Sequence, residues 1–102
     1  MIIERNEFKL KFGKAKEAIA IWKEIMESGK KEGMKVPEIR LLTDISGPSY
    51  LLIVEIQMGS FTDLNQKNTV WVTTEVFRGL YEKFIPLCES ANREYFTVEH
   101  SV

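Results

Sequence analysis

A chain of 102 residues is long enough for one domain and too short for two, and buries somewhat over ~60% of its extended surface on folding. Fourteen basic residues nearly balance fifteen acidic ones, and both are scattered, which argues against a nucleic-acid footprint or an electrostatic membrane anchor. One cysteine, Cys88, and one histidine, His100, allow no intrachain disulfide and no ordinary zinc site, so no metal is expected.

Residues 2–12 alternate. Phe8, Leu10 and Phe12 fall on one face and Arg5, Glu7, Lys9 and Lys11 on the other, the pattern of a β-strand. Asn6 lies on the apolar face of that strand. A buried amide without a partner costs roughly 1–3 kcal/mol, so Asn6 needs either a structural partner or a ligand. Glu4 shares its face and is expected at an exposed edge. Gly13 ends the strand. From Lys14 the period turns helical, with Ala15, Ala18, Ile19, Trp22, Ile25, Met26 and Gly29 on one stripe, Trp22 at its centre. Lys30 and Lys31 suit the negative end of the helix dipole, and Gly33 supplies a C-terminal cap.

Residues 36–45 and 49–58 read as two strands around the turn sequence Ser46-Gly47-Pro48. The second is apolar on both faces at its start, as a central strand is. Ser60 and Asp63 resemble a helix-entry box, and Asn68 or Thr69 offers a further N-cap. The stretch after Val70 favours strand by propensity. On a helical wheel, however, Val70, Thr74, Phe77, Leu80, Tyr81, Phe84, Leu87 and Cys88 share one side, which predicts a second long helix with Cys88 an inert buried thiol. Pro86 falls on its polar side, where a kink or an early end is tolerated. Residues 93–100 close the chain as a fourth strand, with His100 solvated.

The order strand-helix-strand-strand-helix-strand predicts one α+β ferredoxin-like domain over residues 1–102, a four-stranded antiparallel sheet with both helices on one face. The uncovered face then carries Ile3, Leu51 and Ile53 beside Arg5, Glu7 and Glu55, too apolar for water and too charged for a dry core. A sheet-to-sheet homodimer burying ~1,200–2,000 Å² reconciles the two. No run is long enough to span a bilayer, which takes about 20 apolar residues, and no signal-peptide pattern opens the chain, so a cytoplasmic location is expected.

No Gly-rich phosphate loop and no Ser-His-Asp set is present, which speaks against nucleotide-binding and hydrolase functions. One reading that stays open is a small-molecule site between sheet and helices, taking a small apolar compound. Its expected lining is Phe8, Leu52, Val54, Trp71, Phe77 and Tyr81, with Asn6 as polar anchor.

The opening Met1-Ile2-Ile3-Glu4-Arg5, running through Leu10-Lys11-Phe12-Gly13-Lys14, is similar to the start of NIPSNAP-type domains and resembles antibiotic-biosynthesis-type monooxygenases, including the haem-degrading enzymes. Phe61-Thr62-Asp63 and Glu75-Val76-Phe77-Arg78 resemble the latter group as well. The resemblance implies the dimeric α+β barrel fold. In the haem-degrading group the site is an asparagine on the first strand, a tryptophan, and a histidine ten residues further on. Asn6 falls at the asparagine position, and Trp71 and Tyr81 stand ten apart, with Tyr81 where the family has histidine. The resemblance therefore implies Asn6, Trp71 and Tyr81 as catalytic residues of a cofactor-free monooxygenase acting on an aromatic molecule. Its alternatives are a haem-binding or haem-degrading protein with Tyr81 as axial ligand in place of the histidine, and a non-catalytic NIPSNAP-like assembly or binding domain.

Overall fold

The computed structural model describes residues 1–31, 37–47, 49–59 and 74–102. Its elements are β1 (Ile2–Leu10), α1 (Ala15–Lys31), β2 (Glu38–Thr43), β3 (Leu51–Met58), α2 (Glu75–Phe84), a 3-10 turn (Ile85–Leu87) and β4 (Cys88–Thr97). The sheet runs in the order β2-β3-β1-β4, with every neighbouring pair antiparallel. This is the expected α+β ferredoxin-like arrangement.

Three boundaries differ from the expectation, each for a local reason. The β2–β3 ladder ends at Thr43 paired with Leu52, inside the expected strand ends. There the Asp44 carboxylate accepts hydrogen bonds from the backbone N–H of Ser49 (2.7 Å) and Leu51 (3.1 Å). Ser49 and Tyr50 both adopt positive φ, which is incompatible with extended pairing. The second helix ends at Phe84. Pro86 donates no hydrogen bond, the Cys88 N–H closes a 3-10 turn on the Ile85 carbonyl, and the strand starts at once. Cys88 is therefore not a residue of the helix but the first of β4, half-buried, and β4 begins well before Arg93. Thr74 caps α2, its hydroxyl accepting from the Phe77 N–H at 3.3 Å. Gly33, Ser60, Asp63, Asn68, Thr69, Val70 and Trp71, singled out in the sequence, lie outside the described residues.

The core forms where the inner sheet face meets the helices. Phe8 and Leu10 of β1, and Leu52, Val54 and Ile56 of β3, meet Ala18, Trp22 and Ile25 of α1 and Leu80 and Phe84 of α2. Phe84 is fully buried, edge-on to Phe8 (4.8 Å, 89°) and to Trp22 (5.6 Å, 80°). Full burial of such side chains contributes roughly 1.5–3 kcal/mol each. On the outer face Ile3, Arg5, Glu7, Leu51, Ile53 and Glu55 are all half-buried, and Leu42 and Phe96 are exposed. Its central charges are paired: Arg5 lies 3.7 Å from Glu7 and 3.9 Å from Glu55, which also pairs with Arg40. Among the described residues no helix is long and apolar enough to cross a membrane.

Candidate functional site

Among the described residues, Asn6 and Glu4 are the polar ones buried in the core-facing layer, at 6% and 7% exposure. Glu4 is thus not the exposed edge group that its sequence position suggests, because β1 lies between β3 and β4 and the Glu4 carboxylate accepts from Asn6 and Tyr95. Register explains what satisfies both. Across β1 and β4, Glu4 pairs with Tyr95, Asn6 with Arg93 and Phe8 with Ala91. Paired residues share a face, so Arg93 and Tyr95 stand beside Asn6 and Glu4.

The hydrogen bonds form one connected network. Arg93 Nε donates to Asn6 Oδ1 at 2.8 Å. Asn6 Nδ2 donates to Glu4 Oε2 at 3.0 Å and to the Val54 carbonyl at 3.4 Å. The Tyr95 hydroxyl donates to Glu4 Oε1 at 3.1 Å. The Asn6 amide orientation is dictated by this company. Its nitrogen faces two acceptors and its oxygen a guanidinium that can only donate; the flipped amide would set acceptor against acceptor. Asn6 is therefore satisfied within the protein, as buried amides usually are.

Above the network is a cleft of about 190 Å³ lined by Asn6, Phe8, Tyr81, Ala91, Asn92 and Arg93. Tyr81 reaches it from α2, where Phe77, Leu80, Tyr81 and Phe84 recur at helical spacing on the sheet-facing side. The Tyr81 ring stacks on Phe77 (5.7 Å, 13°) and meets Trp22 edge-on (6.2 Å, 86°). Burial pushes the Tyr81 phenol above its ordinary value of about 10; the Arg93 guanidinium opposes this, and Cys88 and Glu4 add to it. Burial and the bond to Glu4 likewise raise Tyr95. The Trp22 indole N–H is buried without an acceptor among the described residues, beneath the same aromatic cluster.

The solved structures similar to this chain share this framework. A NIPSNAP domain protein from Burkholderia xenovorans superimposes with a TM-score of 0.81 at 12% identity, over 96% of this chain and 94% of the other. A NIPSNAP family protein from Agrobacterium tumefaciens gives 0.78 at 14% identity, over 94% and 90%. An antibiotic biosynthesis monooxygenase gives 0.71 at 13% identity, over 96% and 98%. The fold is that of the NIPSNAP and antibiotic biosynthesis monooxygenase proteins. Identities this low establish the fold alone, and no family model and no curated protein matches the chain.

Within that fold, Asn6, Tyr81 and Phe8 come together at the cleft. Leu52 and Val54 do not line it: both are fully buried beneath, in the core, because β3 is covered across its inner face. Phe77 backs the cleft by stacking on Tyr81, and Trp71 lies outside the described residues. Arg93 and Tyr95 are absent from the sequence-based site. Nothing in the pattern of β4 marks them, since neither face of that edge strand is consistently apolar: Ala91, Arg93 and Tyr95 share one and Asn92, Glu94 and Phe96 the other. The signal available was the pair Glu4 and Asn6, two polar residues on one apolar strand face.

Proposed function

We propose that the protein binds a small aromatic molecule in the cleft between α2 and β4. The observation that carries this is the meeting of two aromatic rings, Phe8 and Tyr81, with Asn6, Asn92 and Arg93 around one opening. Its volume of about 190 Å³ is below the ~300–1,000 Å³ of pockets for drug-sized ligands, which suits one or two fused rings.

Cofactor-free oxygenation is the reaction such a cleft favours. The substrate supplies its own electrons: a ring methylene and dioxygen become a carbonyl and water. Tyr81 is suited to donate a proton to the peroxy oxygen, because burial keeps its phenol protonated and its hydroxyl has no hydrogen-bond partner among the described residues. Asn6, with both ends of its amide committed, leaves the substrate oxygen to Arg93. Haem ligation by Tyr81 is the weaker reading, since a tyrosinate ligand calls for a lowered pKa and burial raises it.

Calorimetric titration with naphthol tests the site. Ala91 sits on β4 opposite Phe8 and is exposed, so Ala91→Trp fills the cleft without touching the core. The wild type should bind and Ala91→Trp should bind at least about tenfold more weakly, a difference of 1.4 kcal/mol. Equal affinities would place the ligand elsewhere and overturn the proposal. Self-association through the outer sheet face and a cytoplasmic location complete it.

A further inference from the structure

Arg93 is the cation lining the cleft, and its surroundings differ from those of an ordinary surface arginine. It stands on an exposed edge strand, yet its Nε is tied to a buried amide on the neighbouring strand. That bond fixes one edge of a planar, rigid fork. The guanidinium also flanks the Tyr95 hydroxyl, which lies next to it on the same strand face. At least some of its five N–H groups then remain for a ligand. An arginine held in place before binding loses less freedom when it binds, and two parallel N–H donors match a carboxylate or similar oxyanion.

The counter-charge is arranged to leave that capacity intact. Glu4 lies on the far side of the Asn6 amide and forms no direct ion pair with Arg93 within 4.0 Å. Both Glu4 oxygens are occupied, one by Asn6 and one by Tyr95. The carboxylate therefore steers the guanidinium through the amide without capping it. At the Tyr81 hydroxyl, Arg93 is the group that favours negative charge, acting against burial, Cys88 and Glu4.

Building on the cleft reading above, we propose that its ligand carries an anionic oxygen, a carboxylate or an ionised enol, on an aromatic ring. Arg93 binds that oxygen, and Glu4, acting through Asn6, is the positioning residue that orients Arg93.

Naphthoate and naphthamide share ring and shape and differ in charge, so their affinity ratio isolates the interaction. By calorimetry the wild type should prefer naphthoate by about tenfold or more. Arg93→Gln should bring the ratio near one, and Arg93→Lys, which keeps the charge but not the fork, should lose most of it. Glu4→Gln should lower the ratio several-fold, a discrimination that loss of stability alone does not change. Equal affinities in the wild type would overturn the anion assignment while leaving the cleft. Binding of neither compound would overturn both proposals. A wild-type ratio in folded Glu4→Gln, or in Arg93→Gln, would remove the role given to that residue. Should Glu4→Gln fail to fold, the two Arg93 variants and the wild-type ratio still decide the anion assignment.

Discussion

Arg93 and Asn6, 87 residues apart in sequence, are joined by a 2.8 Å hydrogen bond from a guanidinium on the edge strand to a buried amide on the central one. The bond ties the last strand of the fold to the first through side chains as well as backbone. It also converts a polar residue in an apolar layer from a liability into a hub.

Replacing that hub should cost stability. Asn6→Leu leaves an oxygen of the buried Glu4 without its donor and frees the Arg93 Nε. Unfolding in urea should show a loss of about 1–3 kcal/mol with an unchanged slope. A neutral result would mean that Glu4 and Arg93 find other partners, so that Asn6 does not organise the network.

Gly79 lies exposed in the middle of α2, and a Cβ added there meets nothing within 4 Å. Gly79→Ala should stabilise the protein by about 0.5–1 kcal/mol, because alanine has less backbone freedom to lose on folding. A destabilised variant would indicate that α2 contacts something at this position.

Tyr81 gives a pH signature. Its folded pKa is raised above the unfolded value of about 10, chiefly by burial, so folding favours the neutral phenol. The resulting stability is fully present below pH about 10 and is lost as pH rises through the folded value. A tyrosinate absorbance titration, taken as the difference between wild type and Tyr81→Phe, should centre above 10. A midpoint at or below 10 would show a hydroxyl open to water and closer to Arg93 than the structure has it.

The outer sheet face predicts assembly. Light scattering at micromolar concentration should report twice the 11.8 kDa chain mass, and Ile53→Glu should restore the single mass by placing a carboxylate in that face. A wild-type monomer would contradict the dimer.

What the sequence disclosed follows from how local each signal is. The strand alternation of 2–12 and the helical stripe through Trp22 depend on near neighbours, and both elements form, the strand ending at Leu10 and leaving Phe12 exposed. The join between α2 and β4 was illegible because Phe84, Leu87 and Cys88 keep helical spacing across Pro86; only the missing N–H, not hydrophobicity, ends the helix there. The site divides in the same way. Asn6 stood out because its own strand face is otherwise apolar. Arg93 and Tyr95 gained meaning only from the register of β4 on β1, which no short-range pattern encodes. Glu4 reads as an edge residue in the sequence, but β4 pairs along that side of β1.

The central claim, a ligand cleft between α2 and β4, is tested most directly by mapping amide NMR signals during titration with naphthoate. The largest changes should fall on Phe8, Tyr81, Ala91, Asn92 and Arg93, which line the cleft. Changes centred on Ile3, Leu51 and Ile53 of the outer face, or no changes at millimolar ligand, would contradict it.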